Sequence, residues 1–150
     1  MSIKYLNLEL MEKMCHRLAL KIFDTKEDPI ASFHEHTNLL DSAINLPRQA
    51  FGGNDLYPTL VDKAAILFYT MNKNHPFKNG NKRISAASLV VFLYINDMWL
   101  NAGKSEIADK TLDVAKSPRE NKDIVLADLK EWIKGHIKPL PRNLKVKIKP

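Results

Sequence analysis

Lys82 to Ile95 reads KRISAASLVVFLYI, a stretch that is apolar or small on nearly every face, so a helix of this sequence has no side suited to water. It is expected to run through the middle of the protein with other helices around it. Its apolar run, 84–95, falls well short of the roughly 18 to 20 residues that a membrane span needs. A buried rod requires neighbours with apolar stripes, and apolar residues recur at spacings of three and four through most of the chain. The fold class expected is therefore all-α, a compact bundle of about six or seven helices.

Upstream of the rod, HPFKNGN (75–81) is a tight loop, and NKNHP (72–76) ends the helix before it with two asparagines and a proline. That helix starts at Thr59, where Asp62 three residues later completes a capping box with Asp in the usual Glu place, and it carries Leu60, Ala64, Leu67, Phe68 and Met71. Before it, QAFGGNDLYP (49–58) has loop chemistry, and Phe51, Leu56 and Tyr57 around Gly52 and Gly53 suit a short hairpin or flap. A shorter helix is expected over Asn38 to Asn45, ended by Pro47. The first helix has a stripe of Leu8, Met11, Met14, Cys15, Leu18, Ile22 and Phe23, running out at DTKEDP (24–29). Two amphipathic helices close the domain, around Ser105 to Ala115 and Ile124 to His136, with Trp99 and Trp132 at its core or rim. The domain is expected over 1–137, followed by a basic tail over 138–150.

At 150 residues, with 45% hydrophobic and 27% charged residues, the chain is one domain's worth of globular polymer. The lone Cys15 excludes an internal disulfide and a Cys-x-x-Cys zinc or redox motif, and fits a reducing compartment. No apolar run with a small-residue cleavage site stands in the first thirty positions, so a cytoplasmic protein with no membrane contact is expected. The net charge of +6 lies entirely beyond Ile133, mostly in the tail: Lys134, Lys138, Arg142, Lys145, Lys147 and Lys149 follow it and no Asp or Glu does. The body is neutral, which argues against nucleic acid as a partner and for a solvated tail or lysine-protected edge strand. His34, Glu35 and His36 lack a further His or Cys nearby and read as an exposed turn, not a metal site. Cys15 and His16 are adjacent on a helix and point about 100° apart, so they do not make a thiolate pair.

The chemistry concentrates in His75 to Arg83. A loop of Gly and Asn that delivers the chain onto a buried helix leaves that helix's first N–H groups directed outward at the positive end of its dipole, a ready anion site. Gly80 permits close backbone approach, Asn81 offers an amide donor, and Lys82 and Arg83 place two cations where helices ordinarily prefer carboxylates. His75 is the side chain there that can accept a proton near neutral pH, and Phe77 is an apolar anchor for the loop.

HPFKNGNKR resembles the Fic/Doc family signature, His-x-Phe-x-(Asp/Glu)-Gly-Asn-x-Arg, with Lys82 in the variable place as in the Doc branch. LLDSAINLP, FGGNDLYPTLVDKAA and AASLVVFLYIND resemble Doc segments in the same order, so the likeness covers roughly Asn38 to Asp97 clearly. The resemblance implies a compact helical enzyme that binds ATP with Mg²⁺ at this loop and transfers part of it to a protein hydroxyl. His75 would be the general base and Phe77 the anchor. Asn79, Gly80, Asn81 and Lys82 would cradle phosphates, and Arg83 would stabilise charge on the transferred group. Phe51, Gly52, Gly53, Leu56 and Tyr57 would form a flap that holds the target's main chain by strand-like pairing.

AMP-transferring relatives have Gly where this chain has Lys82, and a second Arg where it has Ala86. Both departures favour the Doc pattern, which implies transfer of the terminal phosphate to a Ser or Thr of a translation factor such as elongation factor Tu. AMP transfer is the alternative within the family, and a catalytically impaired binding module held by an antitoxin is the alternative outside it. The family's usual Asp or Glu is replaced by Asn79, whose amide oxygen can ligate Mg²⁺ but adds no charge, so weaker metal binding is expected. No Ser or Thr stands four residues before a Glu, so the inhibitory Ser/Thr-x-x-x-Glu helix is absent from this sequence and restraint is expected in trans from an antitoxin.

Overall fold

The computed structural model describes residues 2–22, 37–74 and 80–141. Helix α1 (Leu8–Leu10) passes without a break through a π-helical turn (Met11–Cys15) into α2 (His16–Ile22). Then follow α3 (Thr37–Asn45), a 3₁₀ turn (Leu46–Arg48), strands β1 (Ala50–Phe51) and β2 (Asn54–Asp55), α4 (Leu60–Lys73) and α5 (Asn81–Ile95). The chain closes with β3 (Met98–Leu100), α6 (Lys104–Lys116), a 3₁₀ turn (Arg119–Asn121), α7 (Lys122–His136) and β4 (Ile137–Pro139). The described residues are thus mostly helical with two small two-stranded ladders, in agreement with the all-α expectation. Among the described residues no helix is long and apolar enough to cross a membrane.

Helix α5 is the central rod. Its residues are buried except Lys82, Val90 and Ile95, as its lack of a polar face requires. It packs most extensively on α4 and also meets α2, the π turn, α6 and β3. Helix α4 is buried continuously from Lys63 to Lys73, since α3, α6 and α7 cover the sides that α5 leaves. Its start is the expected capping box: Asp62 N–H donates to Thr59 Oγ1 at 3.0 Å and Thr59 N–H donates to Asp62 Oδ2 at 3.2 Å.

The first helix departs from its simple stripe. Met11, Cys15 and Ala19 are fully buried, Met14 and Leu18 are half-buried, and Leu8 is 42% exposed. The π turn explains the shift: His16 N–H donates to Met11 O, five residues back, and the wider turn aligns positions four apart toward α5. The expected stripe residue Phe23 lies outside the described residues, as do the HEH segment and 142–150 of the tail.

The ladder of β3 with β4 was not expected. It is antiparallel, pairing Met98 with Pro139, Trp99 with Lys138 and Leu100 with Ile137. Asn101 N–H donates to His136 O at 2.6 Å and Leu140 N–H to Asp97 O at 3.0 Å, while Leu140 itself is buried. The boundary expected between 137 and 138 therefore falls within a paired strand. Asp97 makes the turn out of α5 with φ 64°, a left-handed conformation that Asp tolerates better than most residues. Trp99 and Trp132 are half-buried at the rim, Trp132 lying against the His136 ring at 4.4 Å between centroids.

Candidate active site

Helix α5 is launched by Gly80, which takes φ 80° and ψ 14°, a conformation that L side chains adopt only at a cost. Glycine has no side chain with which to cap, and its carbonyl accepts from Ile84 N–H at 2.9 Å. No acidic residue stands in the first turn, so the positive end of the helix dipole faces no carboxylate of its own helix. The cations part company here: Lys82 is exposed, whereas Arg83 is 6% and Asn81 9% exposed. Ala86, one turn on, is fully buried. The structure thus groups Gly80, Asn81, Lys82 and Arg83, while His75, Phe77 and Asn79 lie outside the described residues.

The last turn of α4, which leads into the loop, is tethered by three polar groups. The Asn72 amide donates to Thr111 O at 3.0 Å, Lys73 Nζ donates to Ala115 O at 3.1 Å and to Ser117 O, and Arg119 Nη2 donates to Lys73 O at 2.9 Å. Lys73 therefore sits at the carbonyl end of α6, where the helix dipole favours a cation. Burial, with the Arg119 guanidinium adding to it, holds the Lys73 ammonium below the usual lysine range. Burial likewise pushes the Tyr69 phenol up, against an opposing pull from Arg119. A groove of about 500 Å³ runs between Asp41 and Asn45 of α3, Gln49, Thr70 of α4 and Asn74 just past its end. A smaller pocket of about 170 Å³ adjoins it, lined by Leu46, Tyr69, Lys73, Arg119 and Lys122 among others. Both spaces reach Asn74, the residue before His75.

The flap residues form a hairpin. β1 and β2 pair antiparallel, Ala50 with Asp55 and Phe51 with Asn54, and Leu56 N–H closes the base on Gln49 O at 3.0 Å. Gly52 and Gly53 take φ 58° and 81°, the two positive values that a type I′ turn demands. Phe51 is 81% and Leu56 52% exposed, and Tyr57 is half-buried. Each strand of a two-stranded ladder keeps one edge without a partner strand, which is the chemistry needed to pair with another chain.

Cys15 is fully buried, while His16 beside it is half-buried. Burial pushes the Cys15 thiol up to about 12, and burial also pulls His16 below the usual histidine range. Among the described residues no group of three His, Cys, Asp or Glu could hold a metal ion.

The family model described as Fic/DOC family matches residues 3–93, which takes in the first helix, the flap, the motif loop and nearly all of α5. The chain belongs to the Fic/DOC family. Toxin Doc of Mycolicibacterium smegmatis is 44% identical to this Fic/DOC chain over 64 residues, 43% of the chain and 49% of that relative. The likeness thus spans about half the length of the curated relative, and it supports the Doc branch. No solved structure matches the chain.

The polar tethers at Lys73 and Arg119 had no counterpart in the sequence reading. Lys73 is not singled out there, and its acceptors lie 42 and 44 positions away. The same holds for Lys63, which is 1% exposed and is one of the largest fully buried side chains.

Proposed function

We propose that this Fic/DOC protein is a Doc-like toxin of the cytoplasm that moves the terminal phosphate of ATP onto a serine or threonine hydroxyl of a protein target, a translation factor such as elongation factor Tu. The observation that carries the reading is the launch of α5: a left-handed Gly80, a first turn free of carboxylates, an exposed Lys82, and Arg83 beside it. That donor set suits an anion of high charge density, which a triphosphate is.

ATP would be held by Asn79, Gly80, Asn81, Lys82 and Arg83, with Phe77 fixing the loop, and when bound it supplies the phosphoryl group. The chain's own work is positioning and charge. His75 accepts the proton of the target hydroxyl, which makes the oxygen nucleophilic. Lys82 and Arg83 offset the negative charge that develops as the phosphate changes partners. Phe51, Gly52, Gly53, Leu56 and Tyr57 align the target's main chain along the flap. Asn79 would be the Mg²⁺ ligand. Its amide lacks the charge of a carboxylate, so Asn79→Asp is expected to lower the Mg²⁺ concentration needed for half-maximal activity. Restraint comes from an antitoxin in trans, whose disordered tail folds onto the domain.

Expression of the wild type and of His75→Ala tests the reading. Growth arrest by the wild type and none by the variant is the expected result. Equal arrest by both, or by neither, would replace catalysis with a binding role.

A further inference from the structure

Lys63 is the most deeply buried cation in the described part of the protein, at 1% exposure, and it points at the flap. Its ammonium donates to Pro47 O at 3.3 Å, to Tyr57 O, and to Asp55 Oδ2 at 3.2 Å. An ammonium has three protons, and here each has an acceptor. The acceptors lie on both sides of the hairpin: Pro47 belongs to the 3₁₀ turn that leads into β1, Asp55 to β2, and Tyr57 to the segment leaving it. Without such partners a buried charge would be costly, so the position of the flap base and the burial of Lys63 depend on each other.

The same base is tied to the central rod through one aromatic ring. Lys63 Nζ lies 5.9 Å and Arg48 Cζ 4.5 Å from the Tyr5 ring centroid, and that ring packs against Phe92 of α5 at 6.4 Å between centroids. Lys63 therefore joins the flap to the helix whose N-terminus carries the phosphate-binding residues. Only the Asp55 carboxylate, 50% exposed, reaches solvent appreciably in the ion pair.

We infer that Lys63 is a positioning residue that fixes the height and direction of the flap relative to the helical body, and so sets how well the chain binds its protein target without touching the nucleotide. The structural half stands on the contacts alone, while the effect on target binding rests on the function proposed above.

Amide hydrogen exchange on the full chain tests the structural half. In Lys63→Met, which keeps the length of the side chain but removes its charge and donors, the amides of 50–57 are expected to exchange about tenfold faster, while those of α5 stay as in the wild type. Should Lys63→Met fail to fold, Asp55→Asn carries the test, with an expected acceleration of about threefold confined to the hairpin. Hairpin exchange unchanged in a folded variant overturns the inference. Kinetics with elongation factor Tu as the phosphate acceptor test the functional half. The KM for the protein is expected to rise about tenfold with the KM for ATP unchanged, and Lys63→Arg is expected to recover part of the loss. A looser hairpin with kcat reduced and the protein KM unchanged overturns the positioning role. A looser hairpin with no transfer to this acceptor even by the wild type upholds Lys63 as the flap anchor and removes the proposed target instead.

Discussion

Lys73 Nζ stands 3.1 Å from the carbonyl oxygen of Ala115, a contact that crosses 42 positions of sequence and joins the last residue of α4 to the last turn of α6. The motif loop begins two residues later, and the end of α4 that leads to it is held by this ammonium, by Asn72 on Thr111 and by Arg119 on the Lys73 carbonyl. Replacing Lys73 by Met leaves the Ala115 and Ser117 carbonyls without their charged donor. The variant is expected to lose about 2 kcal/mol in urea unfolding with an unchanged m-value. A loss below about 0.5 kcal/mol would show that the tether does little.

The capping box at the start of α4 gives a pH-dependent prediction. Burial alone would raise the Asp62 carboxyl, but hydrogen bonds from Thr59 and Lys130 and the Lys130 charge outweigh it and hold the group below its ordinary 3.8. A carboxyl lowered by folding stabilises the protein above its unfolded value, and that contribution is lost as pH falls through the folded one. Asp62→Asn is therefore expected to cost about 1 kcal/mol at neutral pH. The gap to the wild type should close as the pH falls from 3.8 through the lower folded value. A gap independent of pH would mean that the amide's geometry, not the lost charge, is at fault.

What could be read from the sequence was local. The apolar character of 84–95 marks a central helix because no neighbour is needed to see that it lacks a polar face. Thr59 with Asp62 and the Gly52–Gly53 pair act within four residues, and both formed the expected cap and turn. The β3–β4 ladder was not legible, since two strands of three residues, separated by α6 and α7, carry too little alternation to announce a pairing. Leu8 misled for a related reason: a stripe drawn at 3.6 residues per turn ignores the π turn at Met11–Cys15 that rotates it away. Lys63 and Lys73 look like ordinary surface lysines in a sequence, and only the packing of remote carbonyls around them shows otherwise. Within the candidate site, the residue types of 80–83 suggested an anion-binding turn, but that Arg83 is buried while Lys82 is exposed depends on which face of α5 meets the bundle.

Cys15 offers a check on the packing of the first helix. It is fully buried with its thiol pushed up to about 12, so little thiolate exists at neutral pH. Iodoacetamide is expected to leave the native protein unmodified and to label it fully in denaturant. Prompt labelling without denaturant would show that the helix stands away from α5.

Gly80 separates backbone geometry from charge. Alanine at φ 80° is expected to cost about 1 kcal/mol of stability, seen as a lower melting temperature without nucleotide. With ATP and Mg²⁺ present the shortfall should widen, because the side chain also obstructs the approach of a phosphate to the N-terminus of α5. An equal shortfall with and without nucleotide would place the ATP elsewhere.

Incubation of the wild-type chain and elongation factor Tu with ATP and Mg²⁺, the ATP labelled at either the α- or the γ-phosphate, tests phosphoryl transfer at the start of α5 most directly. Label on the acceptor from the γ position alone, lost in His75→Ala, is the expected result. Label from the α position alone, or γ label that persists in His75→Ala, would contradict it.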